Sequence, residues 1–357
     1  MSTESLTFQS VIPVPRDYAW SRYVRPGMFD RLSPPWQQLQ TLETSGSVKP
    51  GDTREIELLF GPASVRWLAV HEEYREGRLF TDRLVRGPFR RWRHQHRFID
   101  EGDEACRIRD EIEFELPLSF VSHPLGLGIA RMELRRMFRY RHAVTFFDFV
   151  EHYRLRDYAR RNVRVSGGPE LVVKQLKAFL DIAGHEVDEG EHDGRSDTVV
   201  VSGDYSTGLR AEIARADAAN DGGIILTSAR IVTPDAPLLR LARACQFFEL
   251  EQASLGGRAF AWSTADDFIV AIQRLLLEPA RTEVVRLQHP EAATFADLVR
   301  ALGSDEDRMT AGAVPQPLID RVEDELAKDA GVDSKEQLER SRYRSLGDAI
   351  ATLTGSV

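Results

Sequence analysis

Apolar and polar residues alternate in short runs through the first third of the chain. From about Leu39 to Leu116 these runs are separated by clusters of Gly, Pro, Asp and Glu. Alternation over four to eight residues is typical of strands with one buried face, so this segment predicts an antiparallel meander of five or six strands. A further strand is expected from Leu6 to Ile12, followed by a short helix over residues 16–23.

The spacing of apolar residues changes after this sheet. Leu127, Leu134 and Phe138 recur with helical spacing, which predicts a long amphipathic helix with arginines on its polar side. An antiparallel sheet followed by one long helix predicts an α+β domain over residues 1–150. The charged segment 151–163 is expected to continue the helix as a connection to the next domain.

Short apolar strands and helices alternate in the remaining sequence, a pattern typical of α/β domains with a parallel sheet. The predicted strands cover residues 164–168, 198–201, 224–232 and 284–287. The predicted helices cover residues 171–183, 205–219, 237–248, 264–277 and 295–302, with a partly helical tail over 315–357. Ser263 or Thr264 is expected to cap the helix that begins there. Residues 164–357 therefore predict a second domain.

One predicted hairpin places polar residues on its apolar face. Along 91–98 the even positions are aromatic residues or histidines and the odd positions are mostly arginines, while along 107–116 the even positions are apolar except for Asp110. Successive side chains of a strand point to opposite faces, and a turn near Gly102 would place Asp110 beside His94 or His96. The same turn places Arg91 and Arg93 opposite glutamates, which argues against nucleic-acid binding by this basic run.

A buried carboxylate needs a partner, and three interpretations of the His94, His96 and Asp110 group remain open. It is a structural hydrogen bond, a ligand contact, or an acid/base pair. Two histidines and one aspartate can also bind zinc, but the spacing alone does not indicate a metal site, and none is expected. The candidate ligand-binding residues are Trp36, Phe60, Trp67, Trp92, His94, His96, Asp110 and Phe114, with Phe80 and Phe98 as further aromatic candidates for the cavity wall. Each aromatic is equally compatible with an ordinary core position.

Three segments of the first domain form a recognisable pattern, PRDYAWSRYVRPGMFDRLSPPW (15–36), GPFRRWRHQHRF (87–98) and RMFRYRH (136–142). In these segments the domain resembles the START-like helix-grip (SRPBCC) family, which includes polyketide cyclase/dehydrase-like proteins. The resemblance implies a sheet wrapped around the long helix, with an apolar cavity for a lipid, polyketide-like or isoprenoid molecule. Cyclase and dehydratase members imply an alternative in which His94, His96 and Asp110 are catalytic.

Four segments of the second half form another recognisable pattern, VRVSGGPELVVKQLKAFLDIAGHEV (163–187), ILTSARIVTPDAPLLRLAR (225–243), GGRAFAWSTADDFIVAIQRLLLEP (256–279) and EAATFADLVRALG (291–303). In these segments the chain is similar to the NAD-dependent epimerase branch of the extended short-chain dehydrogenases, which includes members with an N-terminal helix-grip domain. This resemblance implies a Rossmann-like domain.

The cofactor motif of that family is degenerate in this sequence. The pattern G-x-x-G-x-x-G reads Gly167, Glu170 and Val173, so that Gly167 and Gly168 form only a vestigial glycine pair. Glu170 would place a negative charge where a pyrophosphate binds at a helix N-terminus, and Val173 is expected to disturb the packing of that helix on the sheet.

The catalytic centre of that family is also missing. None of the five lysines has a tyrosine four residues before it, so the Tyr-x-x-x-Lys pair is absent. The segment 203–223 is too short for the central strands and the catalytic helix of the family. A catalytically inactive interaction or scaffolding domain is therefore expected, with no cofactor. Weak NADP binding by another route, as in an epimerase or reductase, stays open as the alternative.

Composition narrows the picture further. Hydrophobic residues make up 42% and charged residues 29% of the 357 residues, which is enough for a core in each half. A net charge of -9 gives no support to general nucleic-acid or anionic-membrane binding. The two cysteines, Cys106 and Cys245, form no metal or disulfide motif. With no apolar run near ~20 residues and no leader pattern, a cytoplasmic protein is expected, with a homodimer or protein partner possible through the second domain.

Overall fold

The chain divides into two compact units in the computed structural model. The first unit contains residues 1–158 and 181–184, and the second contains residues 159–180 and 185–357. The structure describes residues 3–60, 63–117, 126–166, 170–188, 197–202, 224–228, 231–232, 237–245, 259–260, 262–277, 283–288, 291–302, 316–327, 336–337, 346 and 349–350. The side chain of Phe60, the Gly167-Gly168 pair and the predicted helix 205–219 lie outside the described residues.

Seven strands and three helices make up the described elements of the first unit. The strands are β1 (Glu4–Ile12), β2 (Gln38–Thr44), β3 (Thr53–Phe60), β4 (Ala63–Arg75), β5 (Leu79–Arg86), β6 (Arg91–Asp100) and β7 (Cys106–Glu115). The helices are α1 (Arg16–Tyr23), α2 (Gly27–Arg31) and α3 (Gly126–Arg154).

The seven strands form one antiparallel sheet in the order β1-β7-β6-β5-β4-β3-β2. The predicted meander is confirmed, and β1 adds to it by pairing with the last strand, so that Phe8 lies opposite Asp110. Gly102 has a φ of 89° in the turn between β6 and β7, a conformation that glycine adopts without strain. A large antiparallel sheet with helices is consistent with a helix-grip-like domain.

The long helix α3 packs against β1 and presents one apolar stripe to the interior. Leu134, Phe138, Val144 and Phe149 are buried along it. The expectation that it continues through residues 151–163 was wrong, because α3 ends at Arg154. Hydrogen bonds between residues three apart close the chain over residues 153–158, as is common where a helix tightens at its end, and a strand begins at Asn162.

The second unit contains ten short strands and five helices among its described residues. The strands are β8 (Asn162–Ser166), β9 (Glu186–Asp188), β10 (Asp197–Ser202), β11 (Ile224–Ser228), β12 (Ile231–Val232), β13 (Ala259–Phe260), β14 (Ser263–Thr264), β15 (Glu283–Gln288), β16 (Ala293–Thr294) and β17 (Glu336–Gln337). The helices are α4 (Glu170–Ala183), α5 (Pro237–Cys245), α6 (Ala265–Leu277), α7 (Phe295–Ala301) and α8 (Gln316–Ala327).

Six of these strands form a sheet in the order β17-β15-β11-β10-β8-β9, and all their pairings are parallel. The side chain of Thr264 caps α6 by accepting a hydrogen bond of 3.1 Å from the amide of Asp267. The expectation that Val173 disturbs helix packing was wrong. Val172 is fully buried against β8 and α6, and Val173 packs at the margin of the same apolar cluster.

Candidate functional site

The interior of the first unit contains two apolar clusters with polar side chains between them. Along β6, Trp92 belongs to one cluster and Phe98 to the other, and His94 and His96 lie between them. On β5 and β7, too, a polar residue lies between an apolar residue of one cluster and an apolar residue of the other. We call the polar side chains of this zone the polar belt, and its members are Ser10, Asp82, His94, His96, Asp110 and His142.

Four strands and one helix supply the polar belt. Each member occupies an inward position flanked by apolar neighbours, as Asp110 is by Ile108 and Ile112 on β7. Asp82 lies on β5 between Phe80 and Leu84. Because strand side chains alternate between faces, the apolar neighbours fix these polar residues on the inner face of the sheet.

Asp110 is the centre of the polar belt. Its Oδ1 atom lies 3.0 Å from Nε2 of His94 and 2.6 Å from Nδ1 of His96. Its Oδ2 atom lies 2.9 Å from Nε2 of His142, whose Nδ1 is 2.8 Å from the hydroxyl of Ser10. One carboxylate therefore contacts three imidazole rings, two from the neighbouring strand and one from the helix.

Asp82 approaches the same two histidines from the opposite side. It is paired directly with His94 between β5 and β6. Its Oδ2 atom lies 3.4 Å from Nδ1 of His94 and 3.9 Å from Nε2 of His96. His94 thus lies between two carboxylates, and the two histidine rings are in contact with centroids 3.9 Å apart.

The two histidines titrate in opposite directions. Burial lowers the pKa of His94, but hydrogen bonds to Asp110 and Asp82 outweigh burial and raise it to about 9. Burial and the neighbouring charge of His94 lower the pKa of His96 to about 4. Near neutral pH, His94 is therefore a cation beside a neutral His96.

The carboxylates remain ionised in this environment. Burial raises the pKa of Asp110, but contacts with His96, His142 and His94 outweigh it and hold the pKa well below the usual value. The pKa of Asp82 is lowered for the same reason, mainly by His94. Burial, and then the charge of Asp110, raise the pKa of Tyr23 well above 10, so its hydroxyl keeps its proton near His96.

The predicted wall residues lie on both sides of the polar belt. Trp92 and Phe114 are buried in one cluster, where the half-buried Trp67 packs edge to face on Trp92. Trp36 packs instead beside the other cluster, where its ring contacts Tyr140 and the guanidinium of Arg136. The further candidates Phe80 and Phe98 are buried in that second cluster.

The outer face of the same strands has the predicted charges. Arg91 and Arg93 lie opposite Glu115 and Glu113 in the register. Arg91 contacts Glu115 at 3.9 Å, whereas Arg93 contacts Glu73 of β4 at 3.7 Å. The arginines of this basic run are therefore partnered by acids of neighbouring strands.

Sequence reasoning missed three members of the polar belt, Ser10, Asp82 and His142. A turn centred on Pro88 aligns β5 with β6 and would have placed Asp82 opposite His94. His142 lies four residues after the buried Phe138, on the inward side of α3. The alternation along β5 and the helical spacing along α3 thus indicate that Asp82 and His142 face inward. The turn at Gly102 relates only β6 and β7 to each other.

Such an arrangement can bind and orient a polar group or transfer a proton. Two carboxylates and three imidazoles converge between apolar walls, and such convergence of polar groups in an apolar interior is typical of small-molecule sites. Neighbouring groups with pKa values shifted apart are typical of acid/base pairs. Asp82, His94 and His96 also have the donor atoms of a metal site, since these atoms lie within 4.8 Å of one another.

Comparisons with known proteins give a fold and no family. No family model matches the chain, and no curated protein matches it. A solved nucleoside-diphosphate sugar epimerase from Corynebacterium glutamicum matches with a TM-score of 0.63 and 20% identity, over 98% of this chain and 90% of that chain. This match shows a shared fold.

Two further solved structures match only part of the chain. The Zhui aromatase/cyclase from Streptomyces sp. R1128 matches at a TM-score of 0.37 and 10% identity, over 44% of this chain and 99% of that chain. The protein TTHA0849 from Thermus thermophilus matches at a TM-score of 0.31 and 17% identity, over 44% of this chain and 100% of that chain. Scores this low support no conclusion about this protein. Among the described residues, no helix is long and apolar enough to cross a membrane.

Proposed function

We propose that the first unit binds a small hydrophobic molecule and that the polar belt contacts the polar end of this molecule. The single observation behind this proposal is the position of the belt, between two apolar clusters on the inner face of the sheet. A protein core gains nothing in stability from five ionisable groups, three buried and two partly buried, because each needs a partner to offset its desolvation. A role in ligand binding would explain why these ionisable groups lie in the interior of the first unit.

The proposed ligand is an elongated apolar molecule with one oxygen-bearing group, in the class of lipids, polyketide-like compounds and isoprenoids. His94 is a cation with donor hydrogens and suits a carbonyl, carboxylate or phenolate oxygen. The aromatic residues Trp67, Phe89 and Trp92, which contact one another edge to face or at a tilt, would pack against the apolar part.

We propose further that the second unit is a Rossmann-like module without dehydrogenase activity, serving in interaction or scaffolding. Its parallel sheet supports this fold class. Glu170, the first residue of α4, and the missing Tyr-x-x-x-Lys pair argue against hydride chemistry. Calorimetric titration with NADPH tests this proposal. No heat of binding is expected at millimolar concentration, and a clear saturable signal would contradict it.

Native mass spectrometry of the protein purified from its own host tests the ligand proposal. We expect a co-purified hydrophobic molecule that dissociates on unfolding. Asp110→Asn should lose it, because the variant removes the charge that holds three histidines in place. The matched control is Glu113→Gln, on the outer face of the same strand. Equal loss in both variants, or an empty wild-type protein, would count against the proposal.

A second candidate function is acid/base catalysis on the bound molecule, as in a cyclase or dehydratase. The opposite pKa shifts of His94 and His96 favour it, since one can donate a proton while the other accepts one. Once the bound molecule is identified, turnover should show a bell-shaped pH dependence that disappears in His96→Ala. Unchanged turnover after replacement of His94, His96 and Asp110 together would rule this candidate out.

A further inference from the structure

We propose that Asp82, His94 and His96 form a binding site for a divalent transition-metal ion, in which Asp110 orients both imidazole rings. The proposal rests on the positions of these four residues and does not depend on the proposed hydrophobic ligand.

The strand register brings the three ligands to one point. His94 and His96 are two residues apart on β6 and point to the same face. Asp82 lies directly across from His94 on β5, and Asp110 lies directly across from His96 on β7. Three adjacent strands of a rigid sheet therefore hold the ligands and the residue that orients them.

The contacts divide the ring nitrogens into two sets. Nε2 of His94 and Nδ1 of His96 point to Oδ1 of Asp110, at 3.0 and 2.6 Å. The remaining nitrogens, Nδ1 of His94 and Nε2 of His96, point to Oδ2 of Asp82 at 3.4 and 3.9 Å. Each histidine thus offers one nitrogen to Asp110 and the other to the space beside Asp82.

On the Asp82 side, the separation from His96 suits a shared metal ion better than a direct hydrogen bond. Ligand atoms at ~2.0–2.1 Å from a tetrahedral zinc ion are about 3.3 Å from one another. The three donor atoms lie within 4.8 Å of one another, and the 3.9 Å contact between Asp82 and His96 is too long for a hydrogen bond. A small movement of these side chains, with release of the Nδ1 proton of His94 to solvent, would complete the coordination.

The role of Asp110 matches what metal-binding histidines require. Such histidines usually donate their second ring N–H to a carboxylate, which fixes the ring and makes the coordinating nitrogen more basic. Asp110 is hydrogen-bonded to Nε2 of His94 and contacts Nδ1 of His96 at 2.6 Å, where the Tyr23 hydroxyl also lies 3.3 Å from that nitrogen. Its second oxygen lies 2.9 Å from Nε2 of His142, which contacts Ser10 through its other nitrogen. Four strands and α3 thereby support two coordinating rings.

The donor set indicates the class of ion and the kind of site. Two imidazoles and one carboxylate suit Zn²⁺ or Fe²⁺, and three protein ligands leave at least one position for water or for an oxygen of a bound molecule. The Asp82 side chain is 16% exposed, against 4% for Asp110, so the site is more accessible from the Asp82 side.

Metal titration of the full chain, stripped with a chelator, tests the proposal with no other ligand present. We expect one equivalent of Zn²⁺ by calorimetry, and one equivalent of Co²⁺ with visible absorption bands typical of four- or five-coordination. Asp82→Asn and His96→Gln should weaken zinc binding by about 100-fold or more, and Asp110→Asn by about 10- to 100-fold. The control Asp100→Asn, at the exposed end of β6, should bind as the wild type does.

Thermal unfolding separates loss of the site from loss of the fold. Zinc should raise the melting temperature of the wild type and of Asp100→Asn, while metal-free Asp82→Asn should unfold cooperatively with no zinc-dependent increase. No saturable binding up to about 1 mM Zn²⁺ and Co²⁺, or unchanged affinity in folded Asp82→Asn, would overturn the proposal. If the protein binds zinc but co-purifies with no hydrophobic molecule, the ligand proposal fails and the metal proposal stands.

Discussion

Two groups of charged side chains in the described part of the first unit differ in kind. Arg31 of α2 and Asp148 of α3 form an ion pair through two contacts of 2.7 and 3.0 Å, and both side chains are almost fully buried. The polar belt instead combines two carboxylates with three histidines, and the pKa values of His94 and His96 are shifted in opposite directions. The ion pair can join two helices, whereas the polar belt can bind a polar group of a ligand or transfer a proton.

This difference explains why the polar belt, and not the ion pair, is the candidate site. Arginine does not change its charge at physiological pH, and its two hydrogen bonds to one carboxylate leave little to offer a ligand. The carboxylates of the polar belt face imidazoles with pKa values of about 9 and about 4. Perturbed groups of this kind concentrate at functional sites.

Arg31→Met is expected to have the largest effect on stability. The variant leaves the Asp148 carboxylate buried without Arg31, and breaking a buried pair in this way typically costs about 3–5 kcal/mol. Denaturant unfolding followed by tryptophan fluorescence measures the loss, because four of the five tryptophans lie in the first unit.

The double variant Arg31→Met with Asp148→Leu is the control for that experiment. It removes both charges and should recover most of the lost stability. If the single variant unfolds at the same denaturant concentration as the wild type, the Arg31–Asp148 pair does not stabilise the first unit.

Asp110→Asn is expected to destabilise the metal-free protein by about 3 kcal/mol. The amide cannot accept charged hydrogen bonds from His94 and His96 as a carboxylate does, but Asp82 still lies beside His94. The loss should therefore be somewhat smaller than that of Arg31→Met, and it should shrink at high pH, where His94 is neutral. A loss that is independent of pH would contradict the titratable nature of the polar belt.

Much of this site could be predicted from sequence, because alternation on β6 and β7 and the turn at Gly102 determine which residues face one another. The position of His142 relative to the sheet depends on how α3 packs, which no local pattern encodes. The strand Glu186–Asp188 has three residues, too few to show a period. Val173 was misjudged because the motif position alone does not say which side chain of α4 faces the core.

The pH dependence of stability should have a maximum near pH 6.5 in the presence of a chelator. His94 has a folded pKa of about 9 against about 6.5 unfolded, so its contribution is complete below pH 6.5 and is lost as the pH rises to about 9. His96 has a folded pKa of about 4, so stability also falls as the pH drops from 6.5 towards 4, because only the unfolded state takes up the proton.

Each limb of this pH profile is expected to amount to about 2–3 kcal/mol, and each has its own control. His94→Gln should flatten the limb above pH 6.5, and His96→Gln should flatten the limb below it, where buried carboxylates add a further loss near pH 4. Arg31→Met should lower the profile and leave the shape of the limb above pH 6.5 unchanged. A flat wild-type profile between pH 6 and 9 would mean that His94 is not held between two carboxylates.

Arg97→Gln is expected to have the smallest effect and gives the baseline for both buried groups. Arg97 lies on the outer face of β6, one residue after His96, and contacts Glu111 at 3.3 Å with about half of its side chain exposed. Exposed ion pairs contribute about 0.5 kcal/mol or less and weaken with salt. The variant should therefore unfold within that margin of the wild type at low salt and be indistinguishable from it in high salt. A loss of stability as large as that of Asp110→Asn would mean that substitutions on the outer face of the sheet cost as much as substitutions on the inner face. The distinction between the two faces would then be wrong.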